Sequence, residues 1–182
     1  MGARELVIRE ATTADAEAIC RIYNQGIEDR VATLETTLRT RAERAEWLAA
    51  REARHPVLVA LSAATGAVAR VPTAAAPADG DVLGWASLNR FNPRPAYDHV
   101  ADVSVYVERQ ARGRGVGHAL LEALMVRARA LGYHKLVLAA FPENKPGMAL
   151  YRRLGFSEVG VYREQGLLDG RWVDVIVMER LL

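Results

Sequence analysis

His99-Val100-Ala101-Asp102-Val103-Ser104-Val105-Tyr106-Val107, followed after four residues by Arg112-Gly113-Arg114-Gly115-Val116-Gly117-His118, is the passage on which the fold turns. Val103, Val105 and Val107 alternate with Asp102, Ser104 and Tyr106, the period of a strand with two unlike faces. Beyond the glycines, Val116, Leu120, Leu121, Leu124, Ala128 and Leu131 recur at helical spacing, and Gly132 supplies a C-cap. The passage reads as strand, glycine loop, helix. A chain entering a helix from such a loop leaves backbone N–H groups unpaired where the macrodipole favours negative charge, and phosphate is the natural guest. Gly113, Gly115 and Gly117 let a phosphate come close to the backbone, while Arg112 and Arg114 add charge. A Walker loop would need four residues between its glycines and then Lys-Ser/Thr, and a dinucleotide fingerprint would need glycine where His118 stands. Neither fits, so the passage is either another kind of phosphate loop or a glycine turn with surface arginines.

Working outward, Leu6-Val7-Ile8 reads as a strand, and Thr12 or Thr13 as the cap of a helix carrying Ala16, Ile19, Cys20 and Tyr23. That helix is expected to lose its pattern over Asn24 to Asp29. A second helix is expected over Arg41 to Arg54, stopped by Pro56, and a strand over Val57 to Leu61. Ser62 to Asp81, rich in alanine with two prolines and little periodicity, reads as a flexible insertion within a single domain spanning 1–182. Strands follow at Val82 to Leu88, His99 to Val107 and Lys135 to Phe141. Glu143 to Leu154 is a helix ended by Gly155. Strands at about Val159 to Leu167 and Trp172 to Arg180 flank Asp169-Gly170, a hairpin turn signal. The fold class is mixed α/β, a central sheet flanked by helices.

Composition removes several functions. The chain has 182 residues, 24 basic against 22 acidic, and a net charge of +2, without the one-signed field of a nucleic-acid binder. The single cysteine, Cys20, excludes an internal disulfide, and no His/Cys set has zinc-ligand spacing, so no metal is expected. Cys20 falls on a core stripe, and His55, His99 and His134 read as structural or surface residues. No apolar run approaches the roughly eighteen residues a membrane span needs. The expectation is a cytoplasmic protein with neither nucleic-acid nor membrane partner. No Gly-x-Ser-x-Gly points to a serine nucleophile.

Arg112-x-x-Gly115-x-Gly117 after a valine-alternating strand resembles the pyrophosphate loop of the GNAT family of N-acetyltransferases. Asn144, Tyr151 and Leu154-Gly155-Phe156 resemble the family's second cofactor segment, and seven residues is close to two helical turns, which puts Asn144 and Tyr151 on one face. Five further stretches resemble one branch, the phosphinothricin, methionine sulfoximine and arsinothricin N-acetyltransferases. They are Ile22 to Arg30, Gly84 to Leu88, Ala96-Tyr97-Asp98, Val105-Tyr106-Val107 and Asp169 to Val175.

The resemblance implies the GNAT fold, acetyl-coenzyme A as co-substrate and acetylation of the α-amine of a glutamate-like amino acid, with detoxification as its consequence. It also implies a homodimer. It puts Asp102, where branch members typically carry glutamate, in the role of water-relayed base and Tyr151 in that of general acid. An ammonium must shed a proton before it attacks a thioester, which is why a carboxylate is needed. The resemblance implies a cofactor groove of Val105, Val107, Arg112, Gly113, Arg114, Gly115, Gly117, His118, Asn144 and Tyr151. A backbone N–H near Val105 to Val107 would meet the oxyanion. Glu28 and Leu34, the latter where relatives commonly carry phenylalanine, fall in the substrate loop. Arginine's fork suits carboxylates, and Arg90 and Arg94 are candidate substrate contacts on that ground. Thr33 and Arg163 are lesser candidates. Two rival functions are acetylation of protein N-termini or other amines, and an acyl-coenzyme A sensor without catalysis.

Overall fold

A computed structural model describes residues 6–62 and 81–182. They build one seven-stranded sheet in the order β1-β2-β3-β4-β5-β7-β6. The strands are β1 (Leu6–Glu10), β2 (Val57–Ser62), β3 (Val82–Arg90), β4 (Val100–Val107), β5 (Lys135–Ala140), β6 (Ser157–Leu168) and β7 (Arg171–Leu181). The helices are α1 (Ala16–Glu28), α2 (Arg41–Ala49), α3 (Val116–Ala130) and α4 (Lys145–Arg153). All strand pairs are antiparallel except β4 with β5. The mixed α/β architecture expected from the sequence is the one found.

The alternation in β4 sorts two cores. Ala101 and Val103 join the larger cluster, in which Leu120, Leu121 and Leu124 of α3 and Met148, Tyr151 and Leu154 of α4 are buried, with Val105 and Val107 packed against it. On the other face Trp85 of β3 is buried with Ile19 and Ile22 of α1 and Leu48 of α2, and Tyr106 packs against that group. Asp102 and Ser104 lie on this second face, opposite Asn89 and Ser87 of β3.

α1 ends at Glu28, within the stretch Asn24 to Asp29 where its pattern was expected to fade, and runs through Gly26. A Cβ at Gly26 would stand 3.1 Å from the Tyr106 ring, so this glycine lets the helix approach β4 closely rather than ending it. α2 stops at Ala49 rather than Arg54, because Arg51 turns back to donate from Nε to the His55 carbonyl at 2.7 Å and from Nη2 to the Leu88 carbonyl. α4 begins at Lys145, with Asn144 as its N-cap rather than an interior residue. The Asp169-Gly170 turn is as expected, both residues having positive φ.

The insertion read between Ser62 and Asp81 lies outside the described residues except for its two ends. Those ends meet, the Ser62 N–H donating to the Asp81 carbonyl at 3.2 Å.

Candidate active site

The parallel pairing of β4 with β5 is registered only at Val100, Ala101 and Asp102. β4 continues to Val107 and stays paired with β3 to its end, while β5 turns its other edge to β7. The two strands therefore part just beyond Asp102. The edge of β4 from Val103 to Val107 is left without a neighbouring strand, and its polar groups are available to an extended ligand.

At the far end of that open edge the chain enters α3. Gly113 and Gly115 have φ of +73° and +82°, and an added Cβ at either would meet nothing within 4 Å. Both are thus required by backbone conformation and not by crowding. Gly115 is the N-cap of α3 and no side chain caps the helix. The first bond of the α3 ladder runs from the Ala119 N–H to the Gly115 carbonyl at 3.0 Å, so the N–H groups of Val116, Gly117 and His118 precede it. Such N–H groups at a helix start are donors suited to an anion such as a phosphate. Gly117 has a different duty from the other two. A Cβ there would come within 3.1 Å of Leu150, so it allows α3 to pack on α4.

The two arginines of the loop differ as well. Arg112 donates to Asp29 Oδ2 at 2.6 Å and to the Val107 carbonyl at 3.2 Å, fastening the loop to the end of α1. Arg109 shares Asp29 at 2.7 Å and also holds Glu28 at 3.1 Å. The paired guanidiniums hold the Asp29 carboxyl below its usual range, the Arg109 hydrogen bond contributing most. Glu28 is therefore engaged with Arg109, and Arg114 is exposed. His118 faces Glu122 at 3.1 Å one helical turn on.

Asp102 stands at the fork itself, half-buried. Burial pushes its carboxyl up from 3.8 to about 6, against the opposing pull of a hydrogen bond from Asn89. It is thus ionised at neutral pH yet a stronger base than an exposed aspartate. Tyr151, on α4, is buried at 9% exposure with its ring 6.2 Å from Phe156 in an edge contact. Burial raises its phenol to about 12. The Asn144 Oδ1 accepts from the Gly147 N–H at 3.1 Å and starts the helix.

The loop between α1 and α2 forms the flank of this region. Asn24 of α1 grips Arg39 at both ends, its Oδ1 accepting the Arg39 N–H at 2.9 Å and its Nδ2 donating to the Arg39 carbonyl at 2.9 Å. Arg30 pairs with Asp169 at 3.0 Å, and Leu34 lies directly on Gly166 of β6, where any Cβ would collide with it. Thr33 accepts from the Glu35 N–H at 3.1 Å and its hydroxyl also faces the Tyr106 phenol. Arg163, in the irregular stretch of β6, is exposed.

Arg90 lines a cavity of about 280 Å³ at the N-terminal end of β4, with His55, Tyr97, Asp98, Val100 and Tyr133 among its walls. Arg94 is exposed and outside that cavity's wall. Asp102 lies two residues from Val100, so the cavity and the glycine loop stand at opposite ends of β4 with the fork between them.

Sequence reasoning missed Asn89, Arg51, Asp29 and Asn24. The first had a legible signal, a polar residue two positions from buried Ser87 on the face of a strand otherwise built of apolar residues. No group of three metal-ligating side chains occurs among the described residues. No helix among them is long and apolar enough to cross a membrane.

Comparison with known proteins gives the site its context. The model of the Acetyltransferase (GNAT) family matches residues 30–156. The L-methionine sulfoximine/L-methionine sulfone acetyltransferase of Pseudomonas paraeruginosa is 36% identical over 94% of this chain and 92% of its own. The crystal structure of a phosphinothricin acetyltransferase from Sinorhizobium meliloti in complex with acetyl-coenzyme A superposes with a TM-score of 0.83 at 32% identity, covering 97% of this chain and 88% of that one. That of a ribosomal-protein-alanine N-acetyltransferase from Brucella melitensis superposes equally, with a TM-score of 0.83 at 35% identity over 97% and 99% of the two chains.

Proposed function

The chain belongs to the GNAT family of N-acetyltransferases, and from that premise we propose that it moves an acetyl group from acetyl-coenzyme A to the α-amine of a small glutamate-like amino acid. The observation that carries this reading is the position of Asp102 at the fork, between an open strand edge that ends in an uncapped helix N-terminus and a cavity bearing Arg90.

In this reading the coenzyme's pyrophosphate meets the N–H groups of Val116, Gly117 and His118, and its pantetheine arm runs along Val105 and Val107. Asp102 takes the ammonium proton, through a water. The freed amine attacks the thioester carbonyl, the C–N bond forms and the C–S bond breaks, with no covalent enzyme intermediate. Tyr151 faces the departing sulfur. A phenol held near 12 stays protonated throughout the working range. It is a weaker acid than an alkyl thiol, about 8.5, so it serves first as a hydrogen-bond donor to the developing thiolate, and transfer of its proton is the uphill part of the step.

The carboxylate and the phosphinate- or sulfoximine-like end of the acceptor would be met by Arg90 and Arg94, with Glu28 at the end of α1 and Leu34 in the loop after it alongside. Detoxification is the role such an activity serves. The reading extends to one domain for the whole chain, to the cytoplasm and to a homodimer. For the dimer, β6 is the edge of the sheet and is exposed along most of its length, and Val161, Tyr162 and Trp172 stand out on the β6–β7 hairpin.

A second reading, acetylation of a protein N-terminal alanine, is favoured by the likeness to the Brucella structure. A panel separates the two: release of free thiol from acetyl-coenzyme A with phosphinothricin, methionine sulfoximine, glutamate and an alanine-starting peptide. Turnover with the amino acids supports the proposal, and turnover confined to the peptide replaces it. Tight coenzyme binding with no turnover on any amine would instead reveal a sensor.

A further inference from the structure

Asp102 belongs to a chain of hydrogen bonds whose direction can be read atom by atom. Asn89 lies directly across from it in the β3–β4 register. The Asn89 Nδ2 donates to Asp102 Oδ2 at 3.3 Å and to Ser104 Oγ at 3.2 Å. Its Oδ1 accepts from Arg51 Nη1 at 3.2 Å and from Ser87 Oγ at 3.1 Å. A guanidinium has donors and no acceptor, so only the oxygen end of the amide can face Arg51. Reversing the amide would set two donors against each other at Arg51 and two acceptors against each other at Asp102. Arg51 in turn is fixed by the His55 and Leu88 carbonyls and lies 4.8 Å over the Trp47 ring.

We infer that Asn89, locked in one orientation by Arg51, is the positioning residue that aims the Asp102 carboxylate at the fork and sustains its charge. The inference rests on the reading of Asp102 as the base. A half-buried carboxylate without a donor would lose much of its hydration and gain nothing in return. Asn89 is the donor that this strand face provides, and Ser87, only 1% exposed, finds its own partner in the same amide. Burial drives the Asp102 carboxyl upward and Asn89 draws it back, and these two influences are the ones that act on it. The other charged or titratable groups of this corner are Arg51, Glu52, His55, Arg54, Arg90 and Tyr133, all grouped around Arg51 and His55.

Burial and the nearby Arg51 lower the His55 imidazole from its ordinary value, so His55 is a second titrating group in this corner and the readout must be the carboxyl itself. The full chain, labelled with carboxyl-¹³C aspartate, is titrated by NMR, and the Asp102 signal is identified by its loss in Asp102→Asn. The wild-type midpoint is expected near 6. Asn89→Leu should raise it by about one unit, the scale of a hydrogen bond to a charged group. Arg51→Met, which frees the amide to turn, should move it the same way by less, and Arg51→Lys, which keeps a donor-only cation there, should restore it. The acidic limb of kcat/KM should follow each midpoint, while the dissociation constant for acetyl-coenzyme A stays within about twofold. A structural lesion alone would shift melting and coenzyme binding without ordering the midpoints in this way. An unmoved midpoint in well-folded Asn89→Leu overturns the positioning role and leaves the base reading standing. Undiminished turnover in Asp102→Asn overturns the base reading, and the catalytic purpose of Asn89 with it, whatever the midpoints show.

Discussion

Replacing the proposed base should make the protein both slower and more stable, and the gain in stability should depend on pH. Asp102 has its carboxyl raised from 3.8 to about 6 in the folded chain. A group whose folded pKa is raised in this way favours the folded state fully below about 4, where both states are protonated. That contribution is lost as pH climbs toward 6, because the unfolded chain ionises first, and above 6 the loss is constant. Two pH units correspond to about 3 kcal/mol at 1.36 kcal/mol per unit. Asp102→Asn cannot ionise, and its Oδ1 can still accept from the Asn89 Nδ2, so the network is kept while the penalty is removed. Urea unfolding of both proteins between pH 4.5 and pH 8 should therefore show curves that draw apart with rising pH and run parallel above about 6, the variant being more stable by about 2–3 kcal/mol. In the same samples thiol release should fall by about two orders of magnitude or more, the scale of lost general-base catalysis. A difference that is flat with pH, or a variant less stable than wild type at pH 8, would refute the idea that the fold holds a desolvated carboxylate at the fork.

Tyr151→Phe keeps the ring against Phe156 and removes only the hydroxyl; kcat should drop by about a hundredfold or more with the acetyl-coenzyme A dissociation constant within about twofold by calorimetry, and wild-type turnover would dismiss the hydroxyl from the reaction. Gly166→Ala pushes a methyl into Leu34 and so displaces the α1–α2 loop. The acceptor KM should rise severalfold with little change in coenzyme binding. Leu34→Ala in the same chain should restore it, and a double variant no better than the single one would show that Leu34 and Gly166 do not act as a pair.

The fold was legible where one residue's chemistry is decisive over a short range. Valine alternation along β4, the turn at Asp169-Gly170 and the glycines that start α3 all act through their own backbone, so their message survives without knowledge of the neighbours. Boundaries were misread where a distant partner decides. The end of α2 is governed by carbonyls of β3 and of the following turn that Arg51 binds.

The same division runs through the candidate site. Residues that present backbone, such as Gly113 and Gly115, can be picked out by type and position, whereas Asp102 and Tyr151 entered as candidates through the family resemblance. Arg112 reads from the sequence as added charge at a phosphate loop, and the fold ties it to Asp29, a residue eighty-three positions away in the chain. Asn89 and Arg51 become meaningful only once antiparallel register sets one opposite Asp102 and the turn after α2 delivers the other to the amide oxygen. Their contribution is directional, since a donor-only cation decides which end of a carboxamide faces a carboxylate. That information is carried by no residue alone. It arises from three residues on separate elements, which is why the orienting groups are not legible in the sequence.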